Sequence, residues 1–254
     1  MGVKTVITLE DLPHSLRIKT LKASTDGVMD SVYFLDDAQV LKIFENANED
    51  IVTEELKLLA HCGSLPIARA AGGVLCIRNK PALIYHRCHG KSLKNADIED
   101  IQQIGAFLKA LHTHTTALQS TNTKLFEKSR LEEMIRESDM ALFETLFKRI
   151  DLTLRDDGII HGDLFMDNAL FNEGSLSCVI DFTQACNGDF LFDLAVVDLS
   201  WCDNESKTEA LLESYGATLS TEEFQAYREY ATLFYCVNRF LNGGNYQELL
   251  ERLL

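Results

Sequence analysis

The chain is poor in proline, with only Pro13, Pro66 and Pro81 among 254 residues, and it carries no internal repeat, low-complexity tract or Pro-rich linker. Repeat and disordered architectures are therefore excluded. No apolar run reaches the roughly 18 residues of a membrane span. The nearest, "FLFDLAVVDL", is interrupted by aspartates. The N-terminus has no basic region followed by an apolar run, so no secretion signal and no membrane partner are expected. Cys62, Cys76, Cys88, Cys178, Cys186, Cys202 and Cys236 form no Cys-x-x-Cys pair, and their number is odd. That argues against a zinc site and leads to an expectation of reduced, mostly buried thiols in a cytoplasmic protein. Basic residues are scarce toward the C-terminus. Residues 1–89 carry net −1, residues 90–180 net −5 and residues 181–254 net −9, within a total of −15. Such a surface repels phosphate backbones and excludes nucleic acid as a partner, while it suits a substrate bearing an amine.

What remains is an ordinary globular composition, 46% apolar and 25% charged, long enough for one large domain or two lobes. The first part, 1–88, reads as β-rich. "SVYFLDDAQVLKIF" holds two apolar runs with "DDAQ" between them as a hairpin turn, and "LPIARA", "GVLCIR" and "PALIYHR" look like further strands. Between them "NEDIVTEELKLLAHCG" has helical spacing, with Asn48 or Asp50 as N-cap and Gly63 as a stop. The second part, 89–254, is mostly helical. Ile98, Ile101, Ile104, Phe107, Leu108, Leu111 and Leu118 form one apolar stripe of a long helix. "RLEEMIRESDMALFETLFKRI" reads as a second helix, and "TEEFQAYREYATLFYCVNRFL" as a third with glutamates in its first turn. The expectation is an α+β, bilobal chain: a small antiparallel-sheet N-lobe with one helix, and a larger helical C-lobe. A cleft is expected near residues 86–92.

Inside the helical half lies "IIHGDLFMDNALFNEGSLSCVIDFTQACNGDFLFDLAVVDLSWC", Ile159 to Cys202. Its polar residues are unusual beside such apolar runs. Asp163 and Asn168 are five apart on a presumed loop, and a hairpin around Glu173–Gly174 would return the chain toward Asn168. Paired strands lie about 5 Å apart, so Asn168 and Asp181 can converge. An amide oxygen and a carboxylate are hard ligands suited to Mg²⁺. Asp163 would then orient an attacking hydroxyl or accept its proton, as phosphoryl transfer requires. Protein kinases spell these parts H-R-D-x-x-x-x-N and D-F-G; here they read "HGDLFMDN" and "DFTQ". Lys42 in "VLKIF" is a charge in an apolar strand and needs a partner. Glu54 or Glu55 on the following helix can supply it, and Glu55 is preferred because it lies one turn before Leu58 and Leu59. The single Gly27 of "KASTDGVMDSVYF" marks a short loop whose N–H groups could meet phosphates. His161 reads as structural support for the loop. Arg239 offers a bidentate fork to an acceptor carboxylate, and Asn187 and Asp189 are candidates to contact an acceptor amine.

These motifs, with "VLKIFE", "KPALIYHRCHG" and "VNRFL", resemble the aminoglycoside phosphotransferase and choline kinase superfamily, with the nearest likeness to bacterial homoserine kinases of that fold. The resemblance implies a bilobal protein-kinase-like fold, ATP, Mg²⁺ and a small-molecule hydroxyl acceptor. By motif, Asp163 matches the catalytic aspartate, Asn168 and Asp181 the metal ligands and Lys42 the phosphate-binding lysine. Asp193 matches the aspartate that supports the catalytic loop, and main-chain groups of Ile84 to His86 would meet the adenine. The expected activity is phosphorylation of L-homoserine by a monomer or homodimer. Choline, ethanolamine, a sugar or an aminoglycoside is the competing acceptor, and a nucleotide-binding pseudokinase the competing role.

Overall fold

The computed structural model describes residues 2–25 and 29–254. Gly27, expected to face phosphates, lies outside the described residues. The chain divides into two compact units: Met1–Gly90 with Ser177–Thr183, and Lys91–Leu176 with Gln184–Leu254. The sequence placed 177–183 with the helical half, yet this segment clusters with the first unit.

The first unit is a five-stranded antiparallel sheet in the order β1-β2-β3-β5-β4. Its strands are β1 (Leu21–Ala23), β2 (Ser31–Leu35), β3 (Gln39–Ile43), β4 (Leu75–Ile77) and β5 (Lys80–His86). Alternate residues of β2, namely Ser31, Tyr33 and Leu35, are buried, as the two-residue period of a strand demands. Tyr33 and Leu35 pack with Leu41, Ile43, Ile77, Ala82 and Ile84, and Ile7 and Leu12 cover that core. Helix α1 (Glu49–His61) starts at Asn48, whose side chain accepts from Ile51 N at 3.0 Å. It buries Val52, Glu55, Leu58 and Leu59 along one face. Residues 65–70, expected as a strand, make only isolated bridges, Ile67 to Val179 and Ala70 to Tyr85. Their amide groups pair instead with the returning segment: Ala68 N donates to Val179 O at 2.9 Å, and Val179 N to Pro66 O at 2.7 Å. These bonds are why 177–183 joins the first unit. The same approach brings Cys88 and Cys178 to a Cα separation of 6.0 Å, and the two are joined as a disulfide. That corrects the expectation of thiols throughout; a pairing across 90 residues leaves no local trace in the sequence.

The second unit is helical. Helix α2 (Ile98–Thr115) begins with a capping box between Asp97 and Asp100. It packs against α6 (Glu205–Tyr215) at Gly105, where an added Cβ would stand 2.9 Å from Leu211 O. The single helix expected over 130–150 is two: α3 (Lys128–Ser138) and α4 (Ala141–Arg149). Asp139 takes a left-handed conformation, φ 53°, at the break, a position usually given to glycine or asparagine. Helix α5 (Phe190–Trp201) is buried on every side, so it lacks the amphipathic period that marks surface helices. Helix α7 (Thr221–Leu241) starts from a capping box of Ser220 and Glu223 and packs on α5 through aromatic side chains. The short α8 (Gln247–Glu251) ends the unit. Strands β6 (Gly158–Ile160) and β9 (Cys186–Gly188) pair antiparallel. Strands β7 (Ala169–Asn172) and β8 (Ser175–Val179) form the hairpin expected at Glu173–Gly174. Both turn residues have positive φ, 51° and 78°, as a two-residue hairpin turn of the I′ type requires. Among the described residues no helix is long and apolar enough to cross a membrane.

Candidate active site

In the first unit the chemistry gathers around Lys42. Strand β3 carries it between Val32 and Leu83 of the neighbouring strands, so its stem is buried and only 8% of the residue is exposed. Its Nζ meets Thr183 Oγ1 at 2.6 Å, Asp181 Oδ1 at 2.7 Å and Asp30 Oδ2 at 3.3 Å. Burial works against the ammonium, but Asp181, Glu55 and Asp30 outweigh it and hold Lys42 charged well above the ordinary lysine range. Glu55 is buried and accepts from Tyr85 Oη at 2.7 Å and from Thr183 Oγ1 at 3.1 Å. Burial is also the first reason its carboxyl titrates above the usual range; Lys42 pulls the other way, and Asp181 adds to the rise. Glu54 instead pairs with Lys57 at 2.8 Å. Asp181 sits at φ 64°, a left-handed conformation that costs a non-glycine residue about 1 kcal/mol or more. Of the main-chain groups of Ile84 to His86, Ile84 O accepts from Ala71 N at 2.7 Å and His86 N donates to Arg69 O at 2.8 Å.

In the second unit the loop between β6 and β7 presents Asp163. Its foundation is Asp193 of α5, which is fully buried. Asp193 accepts from Gly162 N at 2.7 Å, His161 N at 2.9 Å and the His112 ring at 3.0 Å. Burial favours the neutral acid, yet the His112 bond and charge, with the loop amide of His161, hold its pKa below the usual value. His112 in turn contacts Tyr215 Oη at 2.9 Å and stacks on Phe190 at 4.0 Å. Gly162 has φ 76°, and a Cβ there would lie 2.2 Å from the Phe126 ring; the glycine between His161 and Asp163 is a steric requirement. Asp163 N donates to His161 Nδ1 at 3.2 Å, so the buried histidine braces the loop. Asn168, at the end of a 3₁₀ turn, donates through Nδ2 to Asp163 O at 2.7 Å. The carboxylate itself is approached on both oxygens: Tyr235 Oη lies 3.3 Å from Oδ1, and Gln184 Nε2 3.4 Å from Oδ2. Tyr235 also donates to Gly162 O. Further along, Trp201 Nε1 donates to Leu164 O at 2.9 Å.

Each unit thus assembles part of the expected set. Lys42, Glu55 and Asp181 meet in the first; His161, Asp163, Asn168 and Asp193 meet in the second. The two acceptor candidates Asn187 and Asp189 are a correction. Both are buried and serve the scaffold. Asn187 accepts from Ser120 N at 2.7 Å and donates to Gln119 at 3.1 Å. Asp189 caps α5 through Leu191 N at 2.8 Å and binds Arg155 N at 2.9 Å and Tyr227 Oη at 3.1 Å. Arg239 lies over the Phe165 ring at 6.0 Å, and Phe165 meets Tyr235 edge-on at 4.8 Å. Sequence reading missed Thr183, Gln184, Tyr235 and His112. The first two directly follow the Asp181-Phe182 pair, and Tyr235 stands one helical turn before Arg239; these were the available signals.

Taken singly, the two residues expected to bind magnesium have suitable donor chemistry. Asp181 offers a carboxylate and Asn168, whose Nδ2 donates to Asp163 O, an amide oxygen; both are hard oxygen ligands.

The phosphotransferase enzyme family model matches residues 20–232. The homoserine kinase of Neisseria meningitidis serogroup B is 30% identical over 236 residues, covering 80% of this chain and 76% of that one. The homoserine kinase of Agrobacterium fabrum is 29% identical over 266 residues, covering 89% and 82%. Among solved structures, choline kinase LicA from Streptococcus pneumoniae has a TM-score of 0.69 at 18% identity, over 93% of each chain. The GDP complex of wild-type aminoglycoside 2'-phosphotransferase-IIIa has a TM-score of 0.68 at 18% identity, over 93% of this chain and 91% of that one. The structural likeness gives the α+β, protein-kinase-like fold.

Proposed function

The chain belongs to the phosphotransferase enzyme family, and from that premise we propose that it is an ATP-dependent kinase of a small-molecule hydroxyl, with L-homoserine as the acceptor. One observation carries the reading: Asp163 stands on a loop braced by Asp193 and His161, with Asn168 bonded to its carbonyl and Gln184 beside its carboxylate. Asp193 is fully buried and spends its carboxylate on the loop, whereas Asp163 is only half-buried, as a base that must reach an incoming alcohol needs to be. The acceptor oxygen attacks the γ-phosphorus as its proton passes to Asp163, and the bond from that phosphorus to the ADP oxygen breaks. Lys42 takes the charge of the phosphates, and Glu55 keeps the ammonium in place. Magnesium, held by Asn168 and Asp181, would supply charge neutralisation of the phosphates. Main-chain groups of Ile84 to His86 would meet the adenine.

Homoserine is favoured by the curated relatives and by Arg239, whose guanidinium stands beside Phe165 of the catalytic loop and suits a carboxylate. A second reading, a cationic acceptor such as choline or an aminoglycoside, is favoured by the net −9 of residues 181–254. Purified protein with Mg-ATP is assayed for ADP on homoserine, choline, ethanolamine, a sugar and an aminoglycoside. Turnover on homoserine is expected, with Asp163→Asn lowering kcat about 10²–10⁴-fold. Turnover on choline and none on homoserine would select the second reading. No ADP with any hydroxyl would reject the kinase.

A further inference from the structure

We infer that Thr183 is a positioning residue that ties the metal-binding carboxylate Asp181 and the phosphate-binding ammonium Lys42 to helix α1. The inference rests on the kinase reading and deepens it. Its basis is one hydroxyl with three charged or ionisable partners inside the first unit. Thr183 Oγ1 accepts from Lys42 Nζ at 2.6 Å. Its single proton has two acceptors, Asp181 Oδ1 at 2.9 Å and Glu55 Oε2 at 3.1 Å.

Proton counting decides what the hydroxyl does. Lys42 already donates to Asp181 Oδ1 at 2.7 Å, so that oxygen is served by a charged donor. Glu55 takes Tyr85 Oη on its other oxygen at 2.7 Å. The Thr183 proton completes Glu55 whenever Lys42 holds Asp181. No direct Lys42–Glu55 contact is needed, since the hydroxyl stands between them and passes one polarised bond to the next. Were Asp181 to hold a cation in place of the ammonium, Lys42 would keep Thr183 Oγ1 as a neutral partner, and the hydroxyl proton would stay on Glu55. The hydroxyl therefore lets Asp181 exchange one cation for another without leaving a buried group unpaired. Asp181 also needs such restraint, because its backbone sits at φ 64°, a conformation that persists only where surroundings impose it. Valine has the same shape and no hydroxyl; serine keeps the hydroxyl.

The test compares Thr183→Val and Thr183→Ser, with Thr183→Ala replacing the valine variant should it not fold. Binding of a non-hydrolysable ATP analogue is measured by calorimetry across a magnesium series, alongside kcat on the best acceptor and melting temperature. We expect Thr183→Val to raise the half-saturating magnesium concentration about tenfold and to lower kcat. Thr183→Ser is expected to stay within about twofold of the parent on both. A scaffold role alone would lower the melting temperature and leave the magnesium dependence alone. That outcome, or equal magnesium dependence of Val and Ser variants, overturns the inference with the kinase intact. A Val–Ser split in binding with no turnover by the parent would retain the inference and remove the kinase. A parent that binds no nucleotide removes both.

Discussion

Replacing Asp193 is the sharpest test of how the catalytic loop is held. The carboxylate is fully buried and accepts three hydrogen bonds, from Gly162 N, His161 N and the His112 ring, at 2.7, 2.9 and 3.0 Å. Asp193→Ala leaves two amides and an imidazole facing a small void. Each orphaned buried donor costs about 1–3 kcal/mol. Water entering the void offsets part of that sum, which brings the expected loss to about 3–5 kcal/mol. Asp193→Asn keeps the shape and one acceptor oxygen. Placed at the Oδ2 position, that oxygen still serves His161 N and His112, while the amide nitrogen faces Gly162 N–H. One bond is lost, at about 1–3 kcal/mol. Urea titrations at pH 7 should therefore rank parent above Asn above Ala, with kcat falling in the same order as Asp163 loosens. The pH dependence has a fixed sign. The folded pKa of Asp193 lies below its unfolded value of 3.8, so its contribution is complete above about pH 4 and fades as pH falls through the folded value. Asp193→Asn should remove that part of the acid limb. A loss under about 1 kcal/mol for Asp193→Ala would refute the accounting, because three buried donors cannot be orphaned so cheaply.

Two further outcomes follow from other parts of the molecule. Burial opposes ionisation of Glu45, but hydrogen bonds from Lys80, Ser31 and Thr5 hold its pKa at about 2 against 4.5. Its stabilisation is therefore present above pH 4.5 and is lost as pH falls toward 2. Acid titrations of Glu45→Gln should show that limb flattened by about 1–2 kcal/mol, a figure reduced for the solvent around the half-exposed Lys80. Arg239→Ala should raise KM for homoserine tenfold or more, about 1.4 kcal/mol, with KM for ATP unchanged; an unchanged homoserine KM would take the carboxylate role from Arg239.

What could be read in advance divides along a physical line. Features fixed by neighbours in sequence were legible. The left-handed pair Glu173–Gly174 announces its hairpin, Ser220 with Glu223 announces the start of α7, and the spacing of Asp163 to Asn168 announces the loop. Features fixed by distant partners were not. Asp139 breaks α3 from α4 by taking a left-handed conformation without being glycine, and α5 is so completely buried that it has no polar face to mark its period. The misreading of Asn187 and Asp189 has the same origin. A polar residue beside a catalytic motif can face a substrate or satisfy a neighbouring loop, and only the fold distinguishes them. Here Ser120 and Gln119 claim Asn187, and Arg155 and Tyr227 claim Asp189. Conversely Thr183, an unremarkable residue in "DFTQ", becomes a junction because Lys42, 141 positions earlier, and Glu55 on α1 both arrive at its hydroxyl. A short motif supplies reactive groups, whereas their orientation comes from single side chains delivered by remote strands and helices. The residues that set how well this site works are therefore expected among the buried partners Thr183, Tyr235 and His112 as much as in the motif itself.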